Sequence, residues 1–438
     1  MKPKHDYSLH LFLIQFMRTH YFRYCILSLF LFYFGFNGNT QTINGIDYSG
    51  LTEMSKTFDL VRDDVFGQRF ASEHFTYKDE VTGRKIIALT TSRHNNTKMY
   101  HTHPQWTADG KYIVFTSNRT SAKENRNRQY YALSMENHEI VQITTGKDGR
   151  EFHLGWRTDR AFQFKNGNLI AIHLDRLLPD SEKDTVKEPE AYEGIIAKLP
   201  KDLSPVGMAL DAAEDKIYFA SKLKPELYGI YMLDFSSGKT TKLLEVPFWV
   251  GHLQANPYKT NTFMYCWETR GDAPQRMWYV TVEKDGKVKN KALYKERAND
   301  WVTHEVFAGH NKVLFHLMGH LDRLQENQTG IFSIDTKTGE TTFHGQTDMG
   351  GFWHCNATPV NKYIIADTFD GKLYRISASD PDKRLLLTQG HRKSSAGPFS
   401  KEAHMHPSVS PNGKWVLFNS SKFTDCDIMI VPIRETSE

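Results

Sequence analysis

The sequence predicts an all-β fold, a seven-bladed β-propeller. The main observation is a recurring pattern of a turn with Asp, Asn or Gly, then Lys, then alternating aromatic and β-branched residues. Its clearest copies are residues 103–117 and 406–420. Related turns lie near residues 110, 166, 215, 260, 311, 361 and 413, about every 50 residues, which is the period typical of propeller blades. No long amphipathic helix interrupts the pattern.

Each copy is typical of a β-hairpin, because its turn residues separate two segments that alternate with a period of two. Further strand and turn patterns lie between the copies, for example in residues 230–240 and 331–343. These match the outer hairpin of a four-stranded blade. The charged, Pro-containing segment 175–193 is predicted as a surface insertion, and residues 45–68 as an N-terminal strand or cap.

The N-terminal region is typical of a signal for export. Arg18 and Arg23 precede an apolar run at residues 25–36, which small and polar residues follow. A membrane span needs about 20 apolar residues, so the run fits a signal peptide better than the alternative, a membrane anchor. We therefore predict a signal peptide at residues 1–40, a single catalytic propeller domain at residues 41–438, and export to the periplasm without a stable membrane span in the mature chain.

The charge balance argues against nucleic acid as a partner. The chain of 438 residues has 55 Lys and Arg against 51 Asp and Glu. Residues 1–40 hold four basic residues against Asp6 alone, so residues 41–438 hold 51 basic and 50 acidic residues. A body so close to neutral has no basic field for nucleic acid.

The three cysteines of residues 41–438 are too few and too scattered for a disulfide framework.

Seven histidines lie just ahead of the repeated strands, in phase with the repeat. A propeller brings equivalent positions of different blades around one axis, so we expect these imidazoles to lie near one another. The seven are His101, His103, His252, His304, His354, His404 and His406. Three of them, His101, His103 and His252, are predicted either to line the substrate channel or to pack the inner strands.

The most specific pattern is His404-Met405-His406. Alternate residues of a strand point to one face, so both imidazoles project in the same direction. His354 lies one blade earlier and supplies a third imidazole. Three His ligands suit a divalent transition metal such as Mn, Zn or Ni.

These motifs resemble those of a known family. Their order along residues 251–418 is similar to that of the oligogalacturonate lyases, which are propeller polysaccharide lyases. The motifs are Gly251-His252, Cys266-Trp267-Glu268, Arg276-Met277-Trp278, Thr303-His304-Glu305, His354 and His404-Met405-His406-Pro407. Two positions depart from the family pattern: Trp267 replaces a second His, and Lys401 replaces a metal-ligating Gln.

The resemblance implies a role for each matching residue. His304 corresponds to the proposed Brønsted base, and Arg276 lies against the substrate. His354, His404 and His406 hold a divalent cation. Lys401 cannot ligate a metal while it is protonated, so Glu402 or water would take the position of the family's Gln.

The implied reaction is β-elimination on an acidic oligosaccharide. A base removes the C5 proton of a uronic acid, a cation neutralises the neighbouring carboxylate, and loss of the C4 substituent gives a 4,5-unsaturated uronate. We therefore predict a carbon–oxygen lyase for uronic-acid-containing oligosaccharides. Two alternatives remain: a dehydratase that eliminates water from a non-reducing-end uronic acid, as in ulvan-type oligomers, and a non-catalytic sugar-binding propeller.

Overall fold

The computed structural model describes residues 65–91, 94–119, 129–146, 148–347, 351–392 and 404–434, with the backbone of two short strands before them. The predicted signal peptide at residues 1–40 lies outside the described residues. Chain contacts divide the protein into residues 1–53 and 54–438. In the first unit, two strands form an antiparallel pair. None of the helices in the described ranges is long and apolar enough to cross a membrane.

The described chain is built almost entirely from short strands. The strands as far as residue 198 are β1 (Thr42–Ile43), β2 (Ile46–Asp47), β3 (Arg69–Phe70), β4 (Phe75–Lys78), β5 (Lys85–Ala88), β6 (Asn96–Lys98), β7 (Tyr112–Ser117), β8 (Gln129–Ser134), β9 (Ile140–Gln142), β10 (Arg150–Leu154), β11 (Arg160–Lys165), β12 (Asn168–His173) and β13 (Glu193–Lys198). The strands after residue 198 are β14 (Pro205–Leu210), β15 (Lys216–Lys224), β16 (Leu227–Asp234), β17 (Thr240–Val246), β18 (Val250–Ala255), β19 (Thr262–Trp267), β20 (Met277–Val282), β21 (Val288–Ala292), β22 (Val302–Phe307), β23 (Lys312–Leu317), β24 (Gly330–Asp335), β25 (Thr341–Gly345), β26 (Phe352–Ala357), β27 (Tyr363–Thr368), β28 (Leu373–Ser377), β29 (Asp380–Thr388), β30 (Ser408–Val409), β31 (Trp415–Ser420) and β32 (Asp427–Pro432).

Seven antiparallel sheets of the second unit form the blades of a ring, which confirms the predicted seven-bladed β-propeller. Blades 2 to 6 are β10–β13, β14–β17, β18–β21, β22–β25 and β26–β29, each in sequential order. Blade 1 has the order β3-β9-β8-β7-β6. Blade 7 has the order β30-β31-β32-β5-β4, so strands from both ends of the domain close the ring. The hydrogen bonds of this shared sheet replace a covalent closure.

The hydrophobic core lies between neighbouring blades. One apolar cluster joins blades 3 and 4 and includes Tyr218 and Phe263, whose rings stack. Another joins blade 1 to the closing blade 7 through Phe115, Leu417 and Ile430. The three cysteines of the described chain are buried. Burial of apolar side chains therefore holds the blades together.

The innermost strand of each blade lines the central channel; it is β6 in blade 1, the first strand of blades 2 to 6, and β30 in blade 7. These inner strands contact one another around the ring, β10 with β14, β14 with β18, β22 with β26, and β26 with β30. We call the end of the ring at which inner strands begin the upper face, and the end at which they finish the lower face. Five of the phased histidines lie near the start of inner strands and so belong to the upper half of the channel: His252, His304, His354, His404 and His406. His101 and His103 instead follow the end of β6.

The turn near residue 166, predicted as a copy of the repeated turn, connects a different pair of strands from the other copies. Asn166 and Gly167, with φ of 50° and 73°, connect β11 to β12, the second and third strands of blade 2. A two-residue turn with positive φ at both positions suits any hairpin, so this Asn-Gly signal does not distinguish the inner hairpin from the next one. The inner turn of blade 2 lies at residues 155–159, where Gly155-Trp-Arg-Thr-Asp lacks the repeated pattern.

The segment predicted as a surface insertion is partly a core element. Its first half forms the helix α1 (Leu174–Glu182), and a 3-10 turn follows at Pro189–Ala191. Leu174, Leu177 and Leu178 are buried in the apolar cluster that joins blades 1 and 2. Their spacing puts all three on one helical face. The charged residues of the same segment hid this short pattern.

Candidate active site

The inner strands share a backbone irregularity that directs side chains toward the channel. In blades 2 to 6, a β-bulge or similar register shift interrupts the pairing of the inner strand. The bulged residues in blades 4 and 5 are His252 and His304, with φ of 46° and 53°. His406, just before β30, has a φ of 46°. A bulge redirects its side chain, and a left-handed backbone is costly for a β-carbon-bearing residue, so this strain marks three histidines as functional candidates.

His354, His404 and His406 form one cluster. Each offers a ring nitrogen, and these three atoms lie within 4.8 Å of one another. The His354 ring centre lies 4.2 Å from that of His406 and 5.5 Å from that of His404. His354 is fully buried, and within the described ranges its Nε2 has no hydrogen-bond partner. An orphaned buried nitrogen between two other imidazoles fits a metal-binding site.

Asp367, which the sequence reasoning missed, holds two of these residues in place. Its Oδ2 accepts a hydrogen bond from His354 Nδ1 at 2.9 Å and from the His406 amide at 3.2 Å. Burial raises the pKa of Asp367 to about 8, although hydrogen bonds from the backbone amides of His354 and His406 act in the opposite direction. When Asp367 is ionised, this bond fixes the His354 proton on Nδ1 and leaves Nε2 available to a metal, the usual arrangement of a carboxylate–histidine–metal triad.

His304 lies beside this cluster, with its ring centre 4.0 Å from that of His354. Its Nδ1 donates to the Trp353 carbonyl oxygen at 2.6 Å, so in the neutral ring Nε2 carries a lone pair. Burial, helped by the neighbouring His316 and His101, lowers the pKa of His304 well below its ordinary value. The side chain therefore stays neutral and can accept a proton at Nε2.

Arg276 is buried at the same cavity between two carboxylates. Its Nε donates to Glu305 Oε2 at 3.1 Å, and its second terminal nitrogen donates to Glu268 at 3.4 Å. Cys266 donates its thiol hydrogen to the other Glu305 oxygen at 2.6 Å. Burial opposes the charge of the guanidinium, but the combined effect of Glu305, Cys266 and Glu268 outweighs burial and raises the pKa of Arg276. The two carboxylates thus more than neutralise the one guanidinium, and this group of three has a net charge of −1.

His252 extends that group toward the cavity. Its Nε2 lies 3.2 Å from Glu268 Oε2. Although burial acts in the opposite direction, His252 and Arg276 lower the pKa of Glu268 to about 2. His252, Glu268, Arg276, His304 and His404 all line one upper cavity of about 170 Å³. The structure therefore brings the predicted base, the predicted arginine and a metal-cluster histidine into one space.

His101 and His103 separate, although they are two residues apart. His101 is buried below the cluster, 5.6 Å from the His354 ring centre, and within the described chain neither of its ring nitrogens has a hydrogen-bond partner. His103 faces the lower side, where its Nε2 bonds to the Met208 carbonyl at 3.2 Å. Both line a lower cavity of about 350 Å³. They are placed in the channel, outside the upper cavity.

The region near the cluster contains further buried polar groups that the sequence did not suggest. Lys98 is 4% exposed, and its Nζ donates to the Met99 carbonyl at 2.8 Å. Burial lowers the pKa of Lys98 well below its ordinary value, while Asp367 acts in the opposite direction. The Tyr100 hydroxyl is buried without a hydrogen-bond partner among the described residues, and its ring lies 4.9 Å from that of His406. No local pattern marks either residue.

The two departures from the family pattern have different outcomes. Trp267 stacks on Phe248 at 4.7 Å, within the apolar cluster that joins blades 3 and 4. Among the described residues that line the upper cavity, Trp267 is absent, so this departure does not change the cavity wall. Lys401 and Glu402 lie outside the described residues.

Comparison with known proteins identifies the family. The family model described as oligogalacturonate lyase matches residues 65–373. The chain belongs to the oligogalacturonate lyase family. An oligogalacturonate lyase of Dickeya dadantii (strain 3937) is 24% identical over 387 residues, which cover 81% of this chain and 94% of the relative. An oligogalacturonide lyase of Pectobacterium atrosepticum is 23% identical over 393 residues, with the same coverage.

Solved structures of the family share the fold. An oligogalacturonate lyase in complex with manganese aligns with a TM-score of 0.69 and 18% identity, covering 85% of this chain and 99% of that one. An oligogalacturonate lyase from Vibrio parahaemolyticus aligns with a TM-score of 0.68 and 19% identity, covering 85% and 100%. The predicted resemblance to this lyase family is thus confirmed, together with its propeller architecture.

Proposed function

We propose that this protein is a lyase that cleaves uronate-containing oligosaccharides by β-elimination, with galacturonate oligomers as the first candidate substrate. One observation carries the proposal: the His304 ring, whose Nδ1 is bonded and whose Nε2 remains for the cavity, lies 4.0 Å, centre to centre, from His354, one of three clustered histidines suited to a metal. Arg276 lines the same cavity. The relatives that match most of this chain carry the names of oligogalacturonate and oligogalacturonide lyases, which supports this choice of substrate.

His304 is the proposed base. With Nδ1 bonded to the Trp353 carbonyl, its neutral ring presents Nε2 to the cavity and can take the C5 proton of a bound uronate. A positioned general base of this kind contributes about 100- to 10,000-fold to the rate. The bulged backbone at His304, with φ of 53°, turns the ring out of the strand ladder. The strained backbone and the fixed tautomer both serve to orient one nitrogen.

His354, His404 and His406 would hold a divalent cation, for which we propose manganese because a related solved structure contains it. The donor set fits, since three imidazoles converge and Asp367 orients one of them. Such a cation supplies positive charge next to the substrate carboxylate and so stabilises the enediolate that develops. Arg276 alone cannot do this, because Glu268 and Glu305 already balance its charge.

The proposal is tested with galacturonate oligomers and ulvan-type oligomers, with and without added Mn²⁺. We expect an increase in ultraviolet absorbance from the conjugated double bond of the 4,5-unsaturated product. Mass spectrometry then separates two reactions: two shorter fragments indicate chain cleavage, and an intact oligomer that has lost water indicates the dehydratase. No absorbance increase with any of these substrates contradicts the proposal and favours a sugar-binding propeller.

We also propose that the protein is exported to the periplasm. The basic start, the apolar run at residues 25–36 and the polar residues that follow support this. Expression of the full chain in a Gram-negative host, with fractionation and N-terminal sequencing of the recovered protein, tests it. Protein recovered with its first 40 residues intact in the cytoplasm contradicts the proposal.

A further inference from the structure

A second groove lies on the lower side of the ring, across blades 6 and 7. It has a volume of about 880 Å³, within the range of about 300–1,000 Å³ that is typical of ligand pockets. Turns build its walls: residues 358–363 between β26 and β27, residues 411–415 between β30 and β31, and the ends of β4, β5 and β32. We call it the basic groove, because five cationic side chains line it: Lys78, Lys85, Lys362, Lys414 and Arg434.

The described side chains that line the basic groove carry positive charge and no negative charge. All five cations are exposed, and no acidic side chain is found among the described residues that line it. Residues 41–438 hold 51 basic and 50 acidic residues, so a groove with five cations and no acid is a local concentration that the composition does not explain. Within the described part of the chain, Lys85, Lys362 and Lys414 form no ion pair. These ammonium groups are therefore available to an anion.

Tyr363 holds part of this charge in place. Arg434 lies 5.2 Å from its ring centre, Lys362 lies 5.3 Å away, and the neighbouring Arg375 lies 4.7 Å away. Cation–π contacts of this length order long side chains that would otherwise be mobile. Ordering before binding lowers the entropy lost when an anion binds. The cations of the groove are thus partly preorganised.

Apolar surface lies between the charges. Pro359, Val360 and Pro411 line the groove, and Val360 is 81% exposed. Trp415 lines it as well and rests on the apolar cluster between blades 1 and 7. A purely ionic ligand has no use for this surface. A sugar chain does, because its rings offer C–H faces to apolar side chains while its acidic substituents pair with the lysines.

The groove is separate from the catalytic cavity. His354 and Pro359 are five residues apart along an extended inner strand, a distance of about 16 Å at 3.3 Å per residue. The metal cluster lies at the start of that strand and the groove at its end. A short oligomer bound at His304 cannot reach the groove, whereas a long polymer can contact both faces.

From this combination we propose that the basic groove binds a segment of acidic polysaccharide, a chain of uronate or sulfated sugars, away from the active site. The proposal rests on the proposed function, since the reaction acts on acidic sugar chains. A polymer held at one site raises the effective concentration of its other segments at the second site. Nucleic acid fits less well, because the nearly neutral body lacks the long-range basic field that such a polyanion requires.

The test compares two triple variants that lose the same net charge. Lys85→Gln/Lys362→Gln/Lys414→Gln removes the available lysines of the groove. The matched control, Lys183→Gln/Lys201→Gln/Lys239→Gln, removes three exposed lysines from blades 2 and 3. Affinity electrophoresis in gels that contain polygalacturonate measures polymer binding, at low and high salt. Turnover of a galacturonate trimer measures the catalytic site independently.

We expect the groove variant to bind polygalacturonate about tenfold more weakly at low salt, given that each exposed pair is worth a few-fold in affinity. The control variant should bind like the unchanged protein, and all three should turn over the trimer at the same rate. Equal polymer binding by the two variants overturns the proposal. Competition by double-stranded DNA or anionic vesicles as effective as that by free polygalacturonate overturns it too. If no protein turns over the trimer, the proposed function fails, while the binding comparison still decides the groove.

Discussion

The carboxylate of Asp367 provides the sharpest prediction about the metal site. Its Oδ2 accepts the His354 Nδ1 proton at 2.9 Å and the His406 amide at 3.2 Å, and its Oδ1 lies 3.1 Å from the same Nδ1. Asp367→Asn keeps the shape but replaces one oxygen with a donor. That donor then faces an N–H group of His354 or His406 in a fully buried site.

The magnitude follows from these contacts. A buried donor left without an acceptor costs about 1–3 kcal/mol, and loss of a carboxylate behind a metal-binding His lowers metal affinity by about 10- to 100-fold. Since Asp367 contacts two of the three proposed ligands, we expect Asp367→Asn to bind Mn²⁺ at least tenfold more weakly. Isothermal titration calorimetry with Mn²⁺ measures this directly.

Asp370 offers a matched control for that experiment. It is exposed, lies three residues further along the chain, and pairs with Lys372 at 2.6 Å. Asp370→Asn removes the same charge near the same strand without touching His354 or His406, so its Mn²⁺ affinity should match that of the unchanged protein. Equal affinities for Asp367→Asn and Asp370→Asn refute the reasoning.

Three further predictions follow from the site and the core. His304→Gln should lower turnover by about 100- to 10,000-fold with Mn²⁺ affinity unchanged; loss of Mn²⁺ binding would put His304 among the ligands. Arg276→Met should lower the free energy of unfolding by about 3 kcal/mol, because the buried Glu305 loses its partner; an unchanged urea midpoint contradicts this. Burial lowers the pKa of His391 to about 3, so the unfolded state takes up a proton first as the pH falls below about 6.5, and stability drops by about 2 kcal/mol at pH 5. In thermal melts, His391→Asn should therefore lose less stability between pH 6.5 and pH 5 than the unchanged protein does. If both proteins show the same pH dependence of stability, the prediction is wrong.

The fold was predictable because its signal is repeated. Each blade repeats a turn and two alternating strands, so errors in one copy do not change the count. The blade 2 error shows the limit: Asn166-Gly167 is a strong hairpin signal, but it belongs to a different hairpin of the blade. Turn chemistry depends only on local φ and ψ, so it cannot state which pair of strands it connects.

The histidines of the site were predictable for the same reason. His304, His354 and the pair His404 and His406 lie near the start of the inner strands of blades 5, 6 and 7, and ring closure brings them together. His103 breaks the rule, because it follows the end of the inner strand β6 instead of preceding an inner strand, and its Nε2 bonds to the Met208 carbonyl on the lower side.

The partners of those residues were not predictable. Asp367 is an ordinary acid near the end of β27, and its role arises only because β27 pairs with β26. Glu305 and Glu268 lie in recognised motifs, yet only the folded arrangement reveals that both contact Arg276. Contacts of this kind depend on long-range register, which no local pattern records.

The most direct test of the central claim is the anomalous scattering of manganese in crystals of this protein soaked in Mn²⁺. We predict one strong peak bonded to the ring nitrogens of His354, His404 and His406, with the unliganded Nε2 of His304 facing the same cavity. A peak at another place in the chain, or a manganese ion coordinated by His304 itself, would contradict a base that works beside a three-histidine metal site.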